Sequence, residues 1–303
     1  MHILLTGSTG FIGHTLQTAL QRAGHTVHGG VSPRSRTLLP GQVPMDFAHD
    51  TTAAAWLPRL AGIDAVVNAV GVLRDTRARP IDAVHRDTPI ALFDACAQAG
   101  VQRVVHISAL GIDGSNTRYA QTKRAAEAHL QTLATQAKLR PAILRPSVVY
   151  GKGGDSSALF MNLARLPVAL FPGPMLTARV QPVSAHDLAA AIVALLGPAM
   201  ATQGLIECPG PEALTMGDFV ASLRQQGGAV RRVEHAREIL RTLHVACHPV
   251  KVIGGSTEHV YSSRTQVSLV PPPCDELTTS EPLVRATRVR PPGMIFTLSD
   301  TST

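Results

Sequence analysis

Three residues have side chains that could move a proton together: Ser108, Tyr119 and Lys123. Tyr119 and Lys123 are four residues apart in a segment with helical periodicity, so their side chains would lie on one helix face. An ammonium group beside a phenol stabilises the phenolate and lowers the pKa of the phenol. A tyrosine tuned in this way can act as a general acid or base near neutral pH. A serine hydroxyl beside it can orient a carbonyl or alcohol oxygen.

A structural interpretation of the same residues is also open. Tyr119 could be an aromatic residue at the start of a helix, and Lys123 could be a cation on the protein surface. Tyrosine and lysine at this spacing are a weak signal alone. Two neighbouring features strengthen it, because an apolar strand ends at Ser108 and the chain begins with a glycine-rich motif.

The glycine-rich motif follows an apolar run at residues 3–5, which is typical of a strand buried in a parallel sheet. The segment Thr6–Gly13 reads TGSTGFIG, and a segment with helical periodicity follows it. Strand, glycine turn and helix together predict a dinucleotide site, with Gly7 for the tight turn, Gly10 for the pyrophosphate and Gly13 for close helix packing. The N–H groups at the helix start would bind the anion. The alternative is a turn whose glycines serve only the backbone.

The elements around these motifs alternate between strand and helix, which predicts a parallel sheet with helices on both faces. We therefore predict an α/β fold, a Rossmann-type doubly wound parallel sheet. The predicted strands are residues 3–5, 25–29, 43–47, 63–71, 101–109 and 139–145. The predicted helices are residues 15–22, 80–99 and 119–130, with a further helix capped by Asp50 and Thr51 and ending at Leu60.

Residues after the second strand bear on the choice of cofactor. NAD-binding folds place an acidic residue there for the ribose 2′-hydroxyl, whereas NADP-binding folds place an arginine for the 2′-phosphate. No Asp or Glu occurs before Asp46, and Arg34 and Arg36 follow the strand. This pattern favours NADP(H) over NAD(H). The alternative is a solvated basic loop.

Two further strand ends contribute candidate cofactor contacts. Asp46 could reach an adenine amino group, although an acid that stabilises a turn is an equally good interpretation. Ala69 and Val70 are small residues at the end of the fourth strand, where they would leave room for a cofactor to cross the sheet.

Composition excludes several classes of protein. The basic residues that give the net charge of +7 are scattered, and aromatic residues make up only 4% of the chain, so we expect no nucleic-acid partner. Four cysteines without a CxxC pair fit a reduced compartment. His244, Cys247 and His248 are too few for a metal site, so none is predicted. With no apolar run long enough to span a bilayer and no signal peptide, we expect a cytoplasmic location.

The chain divides in the prediction into two parts. Residues 1–228 form a dinucleotide-binding domain with a small C-terminal substrate lobe at about 150–228. Residues 229–303 are rich in Pro, Ser and Thr and show few sustained periodicities. Such a composition buries little surface, which predicts a poorly ordered tail.

These motifs resemble the short-chain dehydrogenase/reductase superfamily, in its extended or atypical branch of NAD(P)-dependent epimerase/dehydratase-like proteins. The HISALG-to-YAQTK arrangement is most similar to the subgroup that contains the nucleotide-binding accessory subunit of respiratory complex I. The resemblance covers roughly residues 1–228. It rests on TGSTGFIG at Thr6–Gly13, NAVG at Asn68–Gly71, HISALG at His106–Gly111, YAQTK at Tyr119–Lys123 and LRPSVVYGKGGD at Leu144–Asp155.

The resemblance implies roles for individual residues. Ser108, Tyr119 and Lys123 fall on the catalytic triad of the superfamily. Two further sets are implied: a pyrophosphate loop of Gly7, Thr9, Gly10, Phe11, Ile12 and Gly13, and a segment beside the nicotinamide that includes Pro146 and Val148.

Two functions follow, and both bind a dinucleotide. The first is an NADP(H)-dependent oxidoreductase or epimerase/dehydratase with a small-molecule substrate that the sequence does not identify. The second is a non-catalytic structural or assembly factor of a respiratory or quinone-related complex, associated with it or with a membrane surface. The short segment Ala109–Arg118 between serine and tyrosine favours the second, because the substrate side is trimmed relative to sugar-nucleotide epimerases. A third function, sensing the NADPH/NADP ratio, has no support beyond cofactor binding.

Overall fold

Seven parallel strands form the centre of the protein. The computed structural model describes residues 1–33, 37–151, 153–165, 178–197, 203–226, 266–269 and 294–298. The parallel strands lie in the order β3-β2-β1-β4-β5-β6-β10. Their bounds are β1 His2–Thr6, β2 Thr26–Val31, β3 Gln42–Pro44, β4 Ala65–Asn68, β5 Arg103–Ile107, β6 Arg140–Pro146 and β10 Gly204–Cys208.

Helices connect these strands on both faces of the sheet, as the doubly wound prediction requires. They are α1 Phe11–Arg22, α2 Ala53–Trp56, α3 Thr88–Ala99, α4 Arg118–Thr135, α5 Asp155–Arg165, α6 Ala185–Leu196 and α7 Met216–Gln226. A 3-10 turn at Leu57–Leu60 extends α2, and a π-helical turn at Ala83–Asp87 precedes α3. No helix among the described residues is long and apolar enough to cross a membrane.

The strands bury side chains on both faces, which explains their unbroken apolar runs. In β1, Ile3 and Leu5 pack on the face covered by α1 and α6, while Leu4 packs on the opposite face with Trp56 and Phe93. All five side chains are fully buried. The sheet therefore separates two apolar layers, and the carboxyl ends of its strands are brought to one edge.

The predicted strands and helices are present, with differences at their ends that have local causes. β4 stops at Asn68 because the N–H of Ala69 donates to the hydroxyl of Thr6 (3.2 Å) and leaves the ladder. β5 begins at Arg103 because the N–H of Val101 caps the preceding helix by donating to the carbonyl of Cys96.

The predicted cap of the second helix is wrong. Thr52 occupies the N-cap position, and neither Asp50 nor Thr51 caps the helix. The Asp50 carboxylate instead accepts from the backbone N–H of Asp46 (2.7 Å) and from the guanidinium of Arg59 (2.6 Å). The charge-assisted bond to arginine outweighs a cap on a helix of only four residues.

A smaller set of elements carries the chain beyond β6. Two-residue strands pair as β7 Val149–Tyr150 with β9 Val183–Ser184, and as β8 Arg179–Val180 with β11 Leu214–Thr215. The helices α5 and α7 share a third, smaller apolar core with β7, β8 and β11, formed around Phe219, Val220 and Leu223. By contrast, α6 and β10 pack into the main core.

Of residues 229–303, the structure describes only two strands, β12 Gln266–Leu269 and β13 Met294–Leu298. β13 pairs antiparallel with β10, and β12 pairs antiparallel with β13. This arrangement satisfies the backbone groups that β10 would otherwise expose at the sheet edge. The remainder of the predicted tail lies outside the described residues, as do His244, Cys247 and His248.

Candidate active site

The glycine turn lies between β1 and α1, open to solvent at Thr9 and Gly10. Gly10 is the N-cap of α1, and its N–H donates to the carbonyl of Gly7 at 2.9 Å. A Cβ at Gly13 would lie 1.9 Å from the carbonyl oxygen of Gly7, so only glycine lets the helix sit this close to the turn. Helix geometry leaves the first N–H groups of α1, at Phe11, Ile12 and Gly13, without intrahelical acceptors.

This turn has the features that a pyrophosphate needs. It is unobstructed by side chains at Gly10, it presents helix N–H groups, and no acidic residue lies in the first turn of α1 to repel an anion. The residues present therefore fit a dinucleotide. The interpretation that the glycines serve only the backbone accounts for Gly13 but not for an exposed Gly10.

The end of β4 lies beside the glycine turn. A Cβ at Gly7 would come within 2.9 Å of the Val70 side chain, and Gly7 has a positive φ of 70°. Ala69 and Val70 are half-buried at this junction. A buried polar chain holds the junction in place: Thr6 donates to Asn68 at 2.7 Å, and the Asn68 amide lies 3.1 Å from Nδ1 of His106.

Ser108 follows β5 directly and is 5% exposed. Its backbone N–H donates to the carbonyl of Leu144 at 2.7 Å, which fixes it beside the end of β6. Within the described residues its hydroxyl has no hydrogen-bond partner. A buried hydroxyl without a partner costs about 1–3 kcal/mol, so it indicates a site at which a ligand oxygen completes the bond.

Tyr119 and Lys123 lie in the first two turns of α4, whose N-cap is Thr117. The Thr117 hydroxyl accepts from the N–H of Ala120 at 3.2 Å and so fixes the start of the helix. Lys123 is 4% exposed, and its ammonium donates to the carbonyl of Ile107 at 3.0 Å. The interpretation of Lys123 as a surface cation is therefore wrong.

The direction of the tyrosine pKa differs from the prediction. Burial raises the pKa of Tyr119 to about 12, because it disfavours the phenolate. Burial also lowers the pKa of Lys123 to about 8, against the opposing charge of Glu127. The lysine ammonium is directed at the backbone carbonyl at the end of β5. Burial of the phenol therefore has the larger effect on the pKa of Tyr119.

Of the remaining predicted contacts, Pro146, Val148 and Asp46 lie at or just after the ends of β6 and β3. Pro146 ends β6 and its carbonyl accepts from the N–H of Leu110 (2.9 Å), while Val148 packs into the smaller core. Asp46 follows β3 and accepts from the N–H of Ala48 (3.0 Å), as an acid that stabilises a turn does. Its contact with adenine stays a prediction. Arg34 and Arg36 lie outside the described residues.

The sequence interpretation missed an ion-pair network behind this site. The Arg145 guanidinium donates to Glu127 (2.9 Å from Nε to Oε1) and also to Asp113. The side chains of Arg145 and Glu127 are 8% and 4% exposed. Burial alone lowers the pKa of Arg145, but its hydrogen bonds to Glu127 and Asp113 more than offset this, so the pKa lies above its ordinary value.

A carboxylate in the apolar face of α4 was the available signal for this network. Glu127 lies one turn after Lys123 and is flanked by Ala126 and Leu130, both buried. Charged residues are rarely buried without a partner, so a buried Glu127 predicts a cationic side chain beside it. The ion pair of Arg145 and Glu127 is also linked to the segment between Ser108 and Tyr119, because Arg145 donates to Asp113 in that segment.

Replacing Gly13 by alanine tests the close approach of α1 to the turn. Because the added Cβ meets backbone, we expect G13A to abolish NADH binding and to cost about 3 kcal/mol of unfolding free energy. Gly24 is a matched control, since it has a φ of 80° and nothing within 4 Å of its Cβ position. G24A should cost only about 1–2 kcal/mol and bind NADH normally. Urea unfolding and NADH fluorescence measure both effects, and equal NADH binding by the two variants would contradict the prediction.

The buried ammonium of Lys123 predicts a pH dependence of stability. Unfolded lysine binds its proton up to about pH 10.5 and the folded residue only up to about pH 8. The unfolded state therefore binds more protons in this window, and stability rises with pH. Relative to K123M, the wild-type protein should gain about 2 kcal/mol of unfolding free energy between pH 8 and pH 10.

The comparison with K123M cancels titrations that the two proteins share, including the Tyr119 phenol, whose raised pKa acts with the opposite sign above pH 10. Urea denaturation at several pH values gives the curve. K138M is the control, because Lys138 is an exposed lysine in the loop between α4 and β6. It should follow the wild-type curve, and a K123M curve parallel to that of the wild type would refute the assignment.

Three comparisons place this geometry among known proteins. Ceramide reductase from Caulobacter vibrioides is 30% identical over 199 residues, covering 63% of this chain and 60% of the relative. UDP-glucose 4-epimerase from Vibrio cholerae is 26% identical over 195 residues, covering 57% and 58%. The structure of UDP-glucuronic acid 4-epimerase from Bacillus cereus in complex with NAD is similar with a TM-score of 0.63 at 21% identity, covering 75% of this chain and 84% of that one.

These matches define the fold and the family at different levels. The structural similarity shows the Rossmann-type α/β fold. The matches with the two curated relatives span 60% and 58% of the relatives' own lengths. A family model, described as the NAD dependent epimerase/dehydratase family, matches residues 3–204. Because that match covers most of the described chain, including the glycine turn, Ser108, Tyr119 and Lys123, the chain belongs to the NAD dependent epimerase/dehydratase family.

Proposed function

We propose that the protein is an NAD(P)-dependent oxidoreductase in which Ser108, Tyr119 and Lys123 act on a carbonyl or alcohol group. The observation that carries this proposal is the buried Ser108 hydroxyl, which has no partner among the described residues. A substrate oxygen bound there would satisfy it. The same oxygen would lie at the sheet edge that holds the glycine turn, the end of β4 and the start of α4.

Each residue has a distinct task in this proposal. Ser108 donates a hydrogen bond to the substrate oxygen and holds it beside Tyr119. In reduction, the phenol of Tyr119 gives its proton to that oxygen as the carbonyl carbon accepts hydride. A bound nicotinamide supplies the hydride. A phenol with a pKa of about 12 still protonates a developing alkoxide, which is a much stronger base.

Lys123 stabilises the phenolate that this transfer leaves behind. Its pKa of about 8 keeps the ammonium charged at neutral pH, although the group is buried. The Ile107 carbonyl and the negative charge of Glu127 hold the ammonium in place. A low local dielectric strengthens its attraction for a new anion nearby.

The substrate class follows from the substrate side of the site. Two arginines fix residues 109–117. Arg145 donates to the carboxylate of Asp113, and Arg124 donates to the carbonyl of Ser115 at 2.9 Å. This short segment adds little surface for a nucleotide diphosphate. The relatives' names include both a reductase and an epimerase. We place reduction or oxidation of a small alcohol or ketone first, and epimerase/dehydratase chemistry second.

For the cofactor we propose NADP(H). The support is that no acidic residue precedes Asp46, so the end of β2 offers no carboxylate for a ribose 2′-hydroxyl, whereas Arg34 follows the strand. A reduced compartment suits this cofactor, and four cysteines without a CxxC pair support a cytoplasmic location.

A second function is favoured by a separate observation. In the structure the Tyr119 pKa is raised, which makes the phenol a poor base for oxidation. A protein that only holds its nucleotide would tolerate this. It would then be a structural or assembly factor of a respiratory or quinone-related complex, as in the complex I accessory subunit-like subgroup.

Replacing Tyr119 by phenylalanine separates these two functions. If Tyr119 transfers the proton, Y119F should lower turnover about 10²–10⁴-fold while NADPH binding persists. Y150F is the matched control, because Tyr150 is half-buried in the smaller core against Phe219. NADPH oxidation with a panel of ketones measures turnover, and complementation of a deletion strain measures function in cells. If Y119F complements fully while G10V does not, the catalytic proposal is wrong.

The cofactor preference is tested at Arg34. R34A should weaken NADPH binding about tenfold, equivalent to about 1.4 kcal/mol, and leave NADH binding unchanged, because only NADPH carries the 2′-phosphate. Titration of nucleotide fluorescence gives both dissociation constants. R22A provides a control at an exposed arginine on α1. An equal loss for both nucleotides in R34A would remove the reason for preferring NADPH.

A further inference from the structure

His85 is a buried histidine to which the proposed chemistry assigns no task. It is 1% exposed and lies between the segment that follows β4 and the helix that carries Tyr119 and Lys123. Its ring meets the Tyr119 ring edge-on, with 5.1 Å between centroids and an interplanar angle of 89°. Aromatic pairs favour this geometry, and it adds about 0.5–1.5 kcal/mol beyond burial.

Both ring nitrogens of His85 face polar atoms. Nε2 accepts from the backbone N–H of Val72 at 2.9 Å. Because Nε2 accepts, we assign the ring proton to Nδ1, which lies 3.5 Å from the hydroxyl of Thr122. Thr122 in turn donates to the carbonyl of Tyr119 at 3.0 Å. One ring therefore contacts the end of β4 and the first turns of α4 together.

The backbone around His85 is distorted in a way that brings the ring to this position. Residues Ala83–Asp87 form a π-helical turn, whereas the helix continues as a regular α-helix from Thr88. A π turn widens the helix by one residue and often marks a functional site. The turn directs Ala83, Val84 and His85 inward, and all three are buried.

The surroundings keep the His85 ring neutral. Burial, together with the smaller effect of the nearby Lys123 charge, lowers its pKa to about 3. A Cβ at Gly71 would lie 3.7 Å from both His85 Nε2 and the Lys123 ammonium, so the two groups flank the same glycine. A neutral imidazole adds no second cation beside Lys123. Its task is therefore not to exchange protons with the substrate.

We propose that His85 is a positioning residue that holds the phenol of Tyr119 in place against the end of β4, through its ring edge and its bond to Val72. The inference rests on the proposed role of Tyr119 in the site. In this proposal the π turn places the His85 ring beside Tyr119 and Val72. A regular helix would direct the His85 side chain to a different position.

The test measures the environment of Tyr119 without any turnover. The purified protein is treated with tetranitromethane, which nitrates tyrosines through their phenolate, and nitration at Tyr119 is quantified by peptide mass spectrometry relative to Tyr150. Removing the ring in H85A or H85N should expose more of the half-buried Tyr119 side chain to water. A fall of one unit in the Tyr119 pKa raises its phenolate fraction about tenfold, so we expect about a tenfold higher Tyr119 to Tyr150 ratio.

Two further variants separate positioning from general stability. H85F keeps an aromatic ring at this position, so its ratio should stay within about twofold of the wild-type ratio. L196A truncates an equally buried side chain, 1% exposed, in the main core at the end of α6. It should lose thermal stability yet keep the wild-type ratio.

The proposal fails if H85N keeps the wild-type ratio, or if L196A raises the ratio as much as H85N does. Circular dichroism and Trp56 fluorescence identify variants that do not fold, and if H85A is lost then H85N against H85F still decides. Because the readout needs neither cofactor nor substrate, it can succeed where the catalytic proposal fails: a Y119F variant that turns over like the wild type, together with an intact His85 effect, would overturn only the assigned chemistry.

Discussion

The contact between α1 and the turn before it is the constraint on which the site depends. The Cα of Gly13 lies so close to the carbonyl of Gly7 that no side chain fits between them. This contact sets the start of α1 above the end of β1, where its free N–H groups face outward. The same turn touches Val70 at the end of β4, so the position of the nucleotide and the position of β4 are coupled. The predicted contacts at Ala69, Ser108 and Pro146 lie along this edge of the sheet.

A second constraint comes from placing a cation inside the protein. Lys123 is buried beside the end of β5, and its ammonium would be costly there without partners. The Ile107 carbonyl bonds it, and Glu127 supplies the opposite charge. Glu127 is buried as well and needs Arg145, whose guanidinium also binds Asp113. The charge compensation for this one buried cation therefore extends to the segment between Ser108 and Tyr119.

The order of elements and the residues of the main motifs could be predicted because each depends on local sequence. Apolar runs gave the buried strands, glycines marked the turn, and the spacing of Tyr119 and Lys123 gave their common face. The strand ends were less accurate, since the predicted third, fourth and fifth strands extend past the ends of β3, β4 and β5. Local patterns carry this information because the side-chain period and the turn chemistry act over a few residues.

The parts that could not be predicted depend on contacts between distant residues. The π turn around His85 is invisible in a segment whose periodicity predicts one helix from Pro80 to Ala99, since only packing against α4 selects the wider turn. The partner of Arg145 lies 18 residues away on another element. The direction of the Tyr119 pKa depended on how deeply the phenol is buried, which the spacing of tyrosine and lysine does not determine.

The raised pKa of Tyr119 and the buried cation of Lys123 together favour one direction of the proposed chemistry. A phenol that holds its proton at neutral pH is ready to donate it, which suits reduction of a carbonyl. Oxidation of an alcohol instead needs the phenolate, which burial disfavours until positive charge is added nearby. Lys123 already bonds the Ile107 carbonyl, so it supplies only part of that charge. An oxidised nicotinamide would supply such a positive charge, so Tyr119 would serve as a base only with the oxidised cofactor bound.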